Sequence, residues 1–145
     1  MSFMWADTLL VAERAHLLRL ALWGGACLLV GTAVVAMLRI GRHGSSLLEQ
    51  FGIQTAAWGA IEWGVALLGQ RSLSLRDLAD ATRLDRMLWL KIGLDVGYVL
   101  VGLSLAVLGW RAVRRLGLVG AGIAVVLQGT ALAVLHLVLA GQISR

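Results

Sequence analysis

Long apolar segments constrain this chain more than any other feature of its sequence. Arg19 and Arg39 bracket nineteen uncharged residues, and three later segments are similarly apolar. A helix needs about 20 apolar residues to cross the hydrocarbon core of a bilayer. The sequence therefore predicts an all-α polytopic membrane protein, an antiparallel bundle of four transmembrane helices in a single domain, 1–145. The predicted spans are about 17–39, 47–69, 87–110 and 116–141.

Composition favours a membrane protein over a soluble one. Charged residues make up 14% of the chain, against about 25% in a typical soluble domain, and there is no proline. The basic residues behind the net charge of +5 lie mostly at the ends of predicted spans, where they meet lipid headgroups. We therefore expect the lipid bilayer as the main partner and no nucleic acid.

The polar segment between the second and third spans predicts a short helix at the membrane interface, over about 73–85. Ser74 followed by Asp77 resembles a capping box, which begins many helices. Leu75 and Leu78 would share one face of this helix. Such a face is typical of an amphipathic helix that lies in the plane of the interface.

A cluster of polar residues is the feature most informative about function. In the predicted bundle, seven polar side chains fall in the half of the membrane nearer to the termini. They are Glu13, His16, Glu62, Lys91, Asp95, Tyr98 and His136. A charged side chain at the bilayer centre costs about 2.5–3.5 kcal/mol even on a lenient scale. Such groups therefore face the bundle interior, pair with one another or become neutral.

Helical periodicity places parts of this cluster on surfaces that can face each other. The second span has a polar stripe with one residue every four positions: Gln54, Trp58 and Glu62. The third span has a similar stripe: Lys91, Asp95 and Tyr98. Residues three or four apart lie on one face of a helix, so the two stripes predict an interior site.

The cluster has two leading interpretations. In the first, it is structural, and Asp95 with Lys91, or Glu62 with His136, forms an ion pair that holds the helices in register. In the second, it binds protons or a small solute.

A metal or a haem group gives a third interpretation. Glu13 and His16 form a Glu-x-x-His, half of the ligand motif of di-iron carboxylate bundles, but the sequence has no second copy. His16 and His136 could instead be the axial ligands of a b-type haem. Our main expectation is no cofactor, and the identity of any metal stays unknown.

Small residues at four-residue spacing predict close helix contacts, which such spacing permits in membranes. They are Ala56, Ala60, Gly64, Gly93 and Gly97. These contacts lie either inside the bundle or between two copies of the chain in a dimer.

Several motifs point to a family. The third span contains Gly-Leu-Asp-x-Gly-Tyr (93–98), the second contains Gln-x-Ala-Ala-Trp-Gly (54–59), and the fourth contains Gln128 followed by glycine. Together they resemble a family of small uncharacterised four-span bacterial integral membrane proteins. Gln128 joins Gln54 and Trp58 as a supporting residue of the cluster.

The resemblance implies the four-span fold and a location in the bacterial cytoplasmic (inner) membrane, and it implies no activity. Four spans put both termini on the same side, and the basic residues do not determine which side.

Three classes of function remain open. The first is a small channel, carrier or proton-handling protein that uses the polar cluster. The second is a non-catalytic accessory or assembly subunit of a larger membrane complex. The third is a haem- or metal-binding membrane protein or an enzyme. The sequence contains no recognisable catalytic motif, which favours a role without catalysis, with a second copy or other membrane subunits as candidate partners.

Overall fold

Four helices contain most of the residues that the computed structural model describes, which are 2–42, 44–112 and 114–143, with side chains from Ala6 onwards. The helices are α1 (Ser2–Ile40), α2 (Ser46–Arg71), α3 (Leu78–Arg111) and α4 (Leu116–Ile143). These described ranges contain no strand. Each predicted span lies inside one helix.

The prediction of a separate interfacial helix over 73–85 is wrong. Residues 73–77 are not helical, and residues 78–85 form the first turns of α3. The helix begins at this point because the Asp77 carboxylate accepts a hydrogen bond from the Asp80 N–H at 2.8 Å. No proline or cap interrupts the chain after Asp85, so the same helix continues into the apolar span.

Within the described part of the chain, three helical segments are long and apolar enough to cross a membrane by length and composition, which is one fewer than the sequence predicted. They are Ala6–Ile40, Leu78–Arg111 and Leu116–Ile143. α2 is not among them, because Gln54, Glu62 and other polar side chains lower its mean hydropathy.

The central helix of the bundle is α4. α1 and α2 pack antiparallel, α3 and α4 pack antiparallel, and α4 also contacts α1 and α2. Among the described residues, the backbone of α3 approaches no helix other than α4. α2 and α3 therefore lie on α4 without packing their backbones against each other. We call the gap between them the α2–α3 seam.

Glycines at the helix contacts let the backbones approach closely. A Cβ atom on Gly59 would overlap the α1 backbone at Leu28, and one on Gly120 would overlap the α2 backbone at Leu47. The buried stripe of α2 has a spacing of three or four residues: Gly52, Thr55, Gly59, Glu62 and Ala66.

The predicted packing stripes differ from the observed contacts. Ala56 lies against Gly31 of α1, whereas Ala60 is exposed. Nothing lies within 4 Å of the Cβ position at three predicted packing residues: Gly64, Gly93 and Gly97. A helix has about 3.6 residues per turn, so residues spaced strictly four apart rotate gradually around it. They therefore move away from a contact surface whose residues are spaced alternately three and four apart.

Candidate functional site

The buried stripe of α1 brings two polar side chains into the bundle. Leu9, Glu13, His16 and Leu20 are all buried and recur every three or four residues. This spacing is that of one helix face, so Glu13 and His16 point inwards with their apolar neighbours. They are 6% and 5% exposed, respectively.

A short buried hydrogen bond joins α3 to α4. His136 Nδ1 lies 2.6 Å from Asp95 Oδ2, and both residues are buried. Gly129 permits this approach, since a Cβ atom there would lie only 2.9 Å from the Asp95 carbonyl oxygen. With the His136 Nδ1–H donating, the bond is charge-assisted and strong.

His136 also contacts α1. The His16 and His136 rings have centroids 5.3 Å apart and are tilted by 37°. None of the described residues gives His16 Nδ1 a hydrogen-bond partner. The two imidazoles therefore place a protonable group of α1 next to the Asp95–His136 pair.

Glu62 is buried without a hydrogen-bond partner among the described residues. It is 4% exposed, and neither carboxylate oxygen forms a hydrogen bond with any described residue. Most buried polar groups in proteins are hydrogen-bonded, and an exception requires an explanation. Glu62 faces the α2–α3 seam, where Asp95 and His136 lie on the other side of the same cavity.

This cavity has a volume of about 220 Å³, and all four helices contribute to its walls. Its polar lining comes from α2, α3 and α4: Trp58, Glu62, Lys91, Asp95, Tyr98 and His136. Leucines and other aliphatic side chains, such as Leu20, Leu94 and Leu132, form the remainder. We call this cavity the seam cleft.

Two aromatic rings meet across the seam one turn away from the carboxylates. The Trp58 and Tyr98 rings have centroids 5.0 Å apart with an interplanar angle of 60°. Both residues lie on the side of Glu62 and Asp95 that is farther from the chain termini. Beyond them is a separate groove of about 680 Å³, and Gln54 lines that groove instead of the seam cleft.

Gln128 holds α4 to α1. It is 2% exposed, and the Trp23 Nε1–H donates to its Oε1 at 2.8 Å. Trp23 was not among the predicted site residues. The spacing of the sequence does predict that Trp23 faces inwards, because it lies three residues after Leu20 and continues the buried α1 stripe of His16 and Leu20.

The Arg76 guanidinium neutralises Glu13 at the terminal end of the bundle. Arg76 Nε lies 3.0 Å and 2.8 Å from the two Glu13 oxygens. The hydrogen bond to Glu13 raises the pKa of Arg76 above its ordinary value, so the guanidinium stays charged. Sequence reasoning missed Arg76 because its approach to α1 depends on the path of the connection over 72–77.

Residues 19–137 match a protein family described as a family of unknown function, DUF6992. The chain belongs to this family. The matched region contains every residue of the seam cleft but not Glu13 or His16, which precede it. No curated protein and no solved structure matches the chain significantly.

The structure brings most of the predicted polar cluster together, but with different pairs. Five of its residues line the seam cleft: Glu62, Lys91, Asp95, Tyr98 and His136. Both predicted ion pairs are wrong, because Asp95 binds His136 and Glu62 has no partner among the described residues. Lys91 is exposed at the edge of the cleft.

The geometry does not favour the metal and haem interpretations. Among the described residues, no three His, Cys, Asp or Glu side chains are grouped closely enough to hold a metal ion. Glu13 of the Glu-x-x-His is bound to Arg76. The His16 and His136 rings contact each other directly, so a porphyrin does not fit between them.

Replacing one member of the Asp95–His136 pair should destabilise the protein strongly. Asp95→Val and His136→Leu each leave the other group buried and unpaired, which typically costs about 3–5 kcal/mol. The double variant should lose much less than the sum, because neither charged partner remains. Thermal unfolding in detergent measures the stability of the two single variants and of the double variant.

The matched control is Lys91→Met, on the same helix one turn from Asp95. Because Lys91 is exposed and does not bind Asp95, this variant should melt close to the wild-type temperature. Additive losses in the double variant, or a large loss in Lys91→Met, would contradict the observed pairing.

Proposed function

We propose that this chain is a four-span membrane protein that binds and releases protons at Glu62, in order to move a proton or a small solute. One observation carries the proposal: Glu62 is buried, and its two oxygens have no hydrogen-bond partner among the described residues. An ionised carboxylate in this situation costs several kcal/mol. Glu62 is therefore stable either as a neutral acid or with a cation beside it.

Titratable side chains lie in series between Glu62 and the terminal end of the bundle. The series begins at the Glu13–Arg76 pair and continues through His16 and His136 to the Asp95 carboxylate. Buried imidazoles and carboxylates in series are the usual components of proton relays in membrane proteins. We infer that protons reach Glu62 from the side on which the termini lie.

The accessory-subunit hypothesis, in which the polar groups only hold the helices together, accounts for less of the site. The Asp95–His136 and Trp23–Gln128 hydrogen bonds each join two helices and are consistent with it. Glu62 makes no such bond. A purely structural role would leave the most costly group of the cluster unexplained.

The proposal includes a membrane crossing by α2. This helix has 26 residues, and at a rise of 1.5 Å per residue it is about 39 Å long. Its outward side chains include Ile61, Val65 and Leu68, which are exposed and apolar, whereas Thr55 and Glu62 are buried. The polar groups that lower its hydropathy are thus partly hidden from lipid.

With α2 crossing, the chain forms an antiparallel four-span bundle with both termini on one side. The resemblance to small bacterial membrane proteins supports a location in the bacterial cytoplasmic membrane. Contacts with a second copy or with other membrane subunits belong to the same proposal, and the open surface at Gly93 and Gly97 is available for them.

Cysteine labelling tests the fourth crossing. Cys27 is the sole cysteine and is buried, so Cys27→Ala gives a background for Gly44→Cys and Ser74→Cys, placed at opposite ends of α2. In sealed vesicles of one orientation, an impermeant maleimide should label only one of the two positions, and both after permeabilisation. Labelling of both positions, or of neither, in sealed vesicles would contradict a membrane-spanning α2.

Carbodiimide modification tests the proton site. Dicyclohexylcarbodiimide is apolar and reacts with protonated carboxylic acids, so from the bilayer it should modify Glu62 and form a stable adduct detectable by mass spectrometry. Modification should fall as the pH rises, because the reagent needs the protonated form. Glu62→Gln should abolish the adduct.

The matched comparison is Glu49, which is on the same helix, is only partly buried and lies 3.8 Å from Arg39. It should stay unmodified under the same conditions. Absence of an adduct at Glu62 at every pH, or modification of Glu62 that does not depend on pH, would contradict the proposal.

A further inference from the structure

The seam cleft is a lateral opening in the bundle. α2 and α3, whose backbones do not pack against each other, form its two sides, and Leu20 of α1 with Leu132 and His136 of α4 completes the lining. Its volume of about 220 Å³ exceeds the roughly 150 Å³ of a cavity that holds benzene. The cleft is therefore large enough for a ligand with one ring and a short side chain.

The chemistry of the lining selects the class of ligand. The Glu62 carboxylate has no hydrogen-bond donor among the described residues, and Trp58 and Tyr98 present aromatic rings one turn away. Carboxylates bind ammonium groups, and aromatic faces attract cations by about 0.5–2 kcal/mol. An anion would face both Glu62 and Asp95, and a neutral apolar molecule would leave the carboxylate unpaired.

The charged and titratable groups around Glu62 come from three helices. α3 brings Asp95, which is already bound to His136 of α4, and Lys91, which is exposed. On the α1 side, His16 lies behind His136, and the Cys27 thiol is also near Glu62. Lys91 is thus the one described lysine or arginine that lines the cleft, and its positive charge opposes the entry of another cation.

We propose that the seam cleft binds a small organic cation, an ammonium group on an apolar body, in exchange for the proton of Glu62. The inference rests on the proposed proton site and names its ligand. The protonated Glu62 carboxylic acid loses its proton, the resulting carboxylate binds the R–NH₃⁺ group, and one H⁺ leaves towards Asp95, His136 and His16. The apolar body lies against Trp58, Tyr98 and the aliphatic walls.

Isothermal titration calorimetry of the purified protein in detergent tests this exchange with three probes of similar size. Phenethylammonium chloride is the cation, phenethyl alcohol is its neutral counterpart and phenylacetate is the anion. Only the cation should bind, and it should release one proton per site, measured as acidification of a weakly buffered solution. It should also protect Glu62 from dicyclohexylcarbodiimide.

Variants of two charged residues should shift the affinity in opposite directions. Glu62→Gln should weaken binding about ten- to hundredfold, the value of one charge-assisted hydrogen bond, and abolish proton release. Lys91→Met, at an exposed position, should strengthen binding a few-fold because it removes a like charge. Glu49→Gln, at a partly buried position on the same helix as Glu62, should change neither the affinity nor the proton release.

The possible failures are distinguishable. Equal binding of the alcohol and the cation, undiminished binding by Glu62→Gln, or binding without proton release would overturn the cation exchange. If carbodiimide modifies Glu62 in a pH-dependent way but the cation neither binds nor protects, this inference fails and the proton site stands. If the pH-dependent modification is also absent, both fail.

Discussion

A carboxylate buried away from water must be neutralised, and this requirement organises the interior of the bundle. The Asp95 carboxylate is paired with His136, and the Glu13 carboxylate is paired with Arg76. Each of these bonds ties one element to another, so each also fixes the fold. Glu62 has no such partner among the described residues, although it is as deeply buried. Its neutralisation is left to a proton or to a ligand, which is the physical origin of the proposed function.

Glycine packing decides where this unsatisfied group is accessible. α4 approaches α2 closely at Gly120 and α3 closely at Gly102 and Gly129, so among the described residues the backbones of α2 and α3 pack on α4 and not on each other. The two helices meet through the Trp58 and Tyr98 side chains. The seam cleft between them is the consequence. Because the α3 backbone approaches only α4 among the described residues, a shift of α3 would separate the Trp58 and Tyr98 rings and widen the cleft without breaking the contact between α1 and α2.

Local sequence properties predict much of this architecture. Run length and flanking arginines predict the helices, and the constant rise of a helix places Glu62, Asp95 and His136 at one depth. The partner of Asp95 could not be predicted in the same way, because it depends on how α4 rotates against α3, which Gly129 sets through a tertiary contact. Arg76 was missed for a similar reason, since the connection before α3 is not helical. The polar residues of α2 that indicate a functional site also lower the hydropathy of this helix. The same residues therefore make α2 harder to recognise as a membrane span.

The protonation state of Glu62 is best measured by infrared difference spectroscopy of the purified protein between alkaline and acidic pH. A protonated carboxyl group has a C=O stretch that is separate from those of carboxylates and amides, and it shifts when H₂O is replaced by D₂O. We predict that such a band appears in the wild type on acidification, persists in Glu49→Gln and is absent from Glu62→Gln. A spectrum that is the same in Glu62→Gln and the wild type would show that Glu62 does not bind the proton.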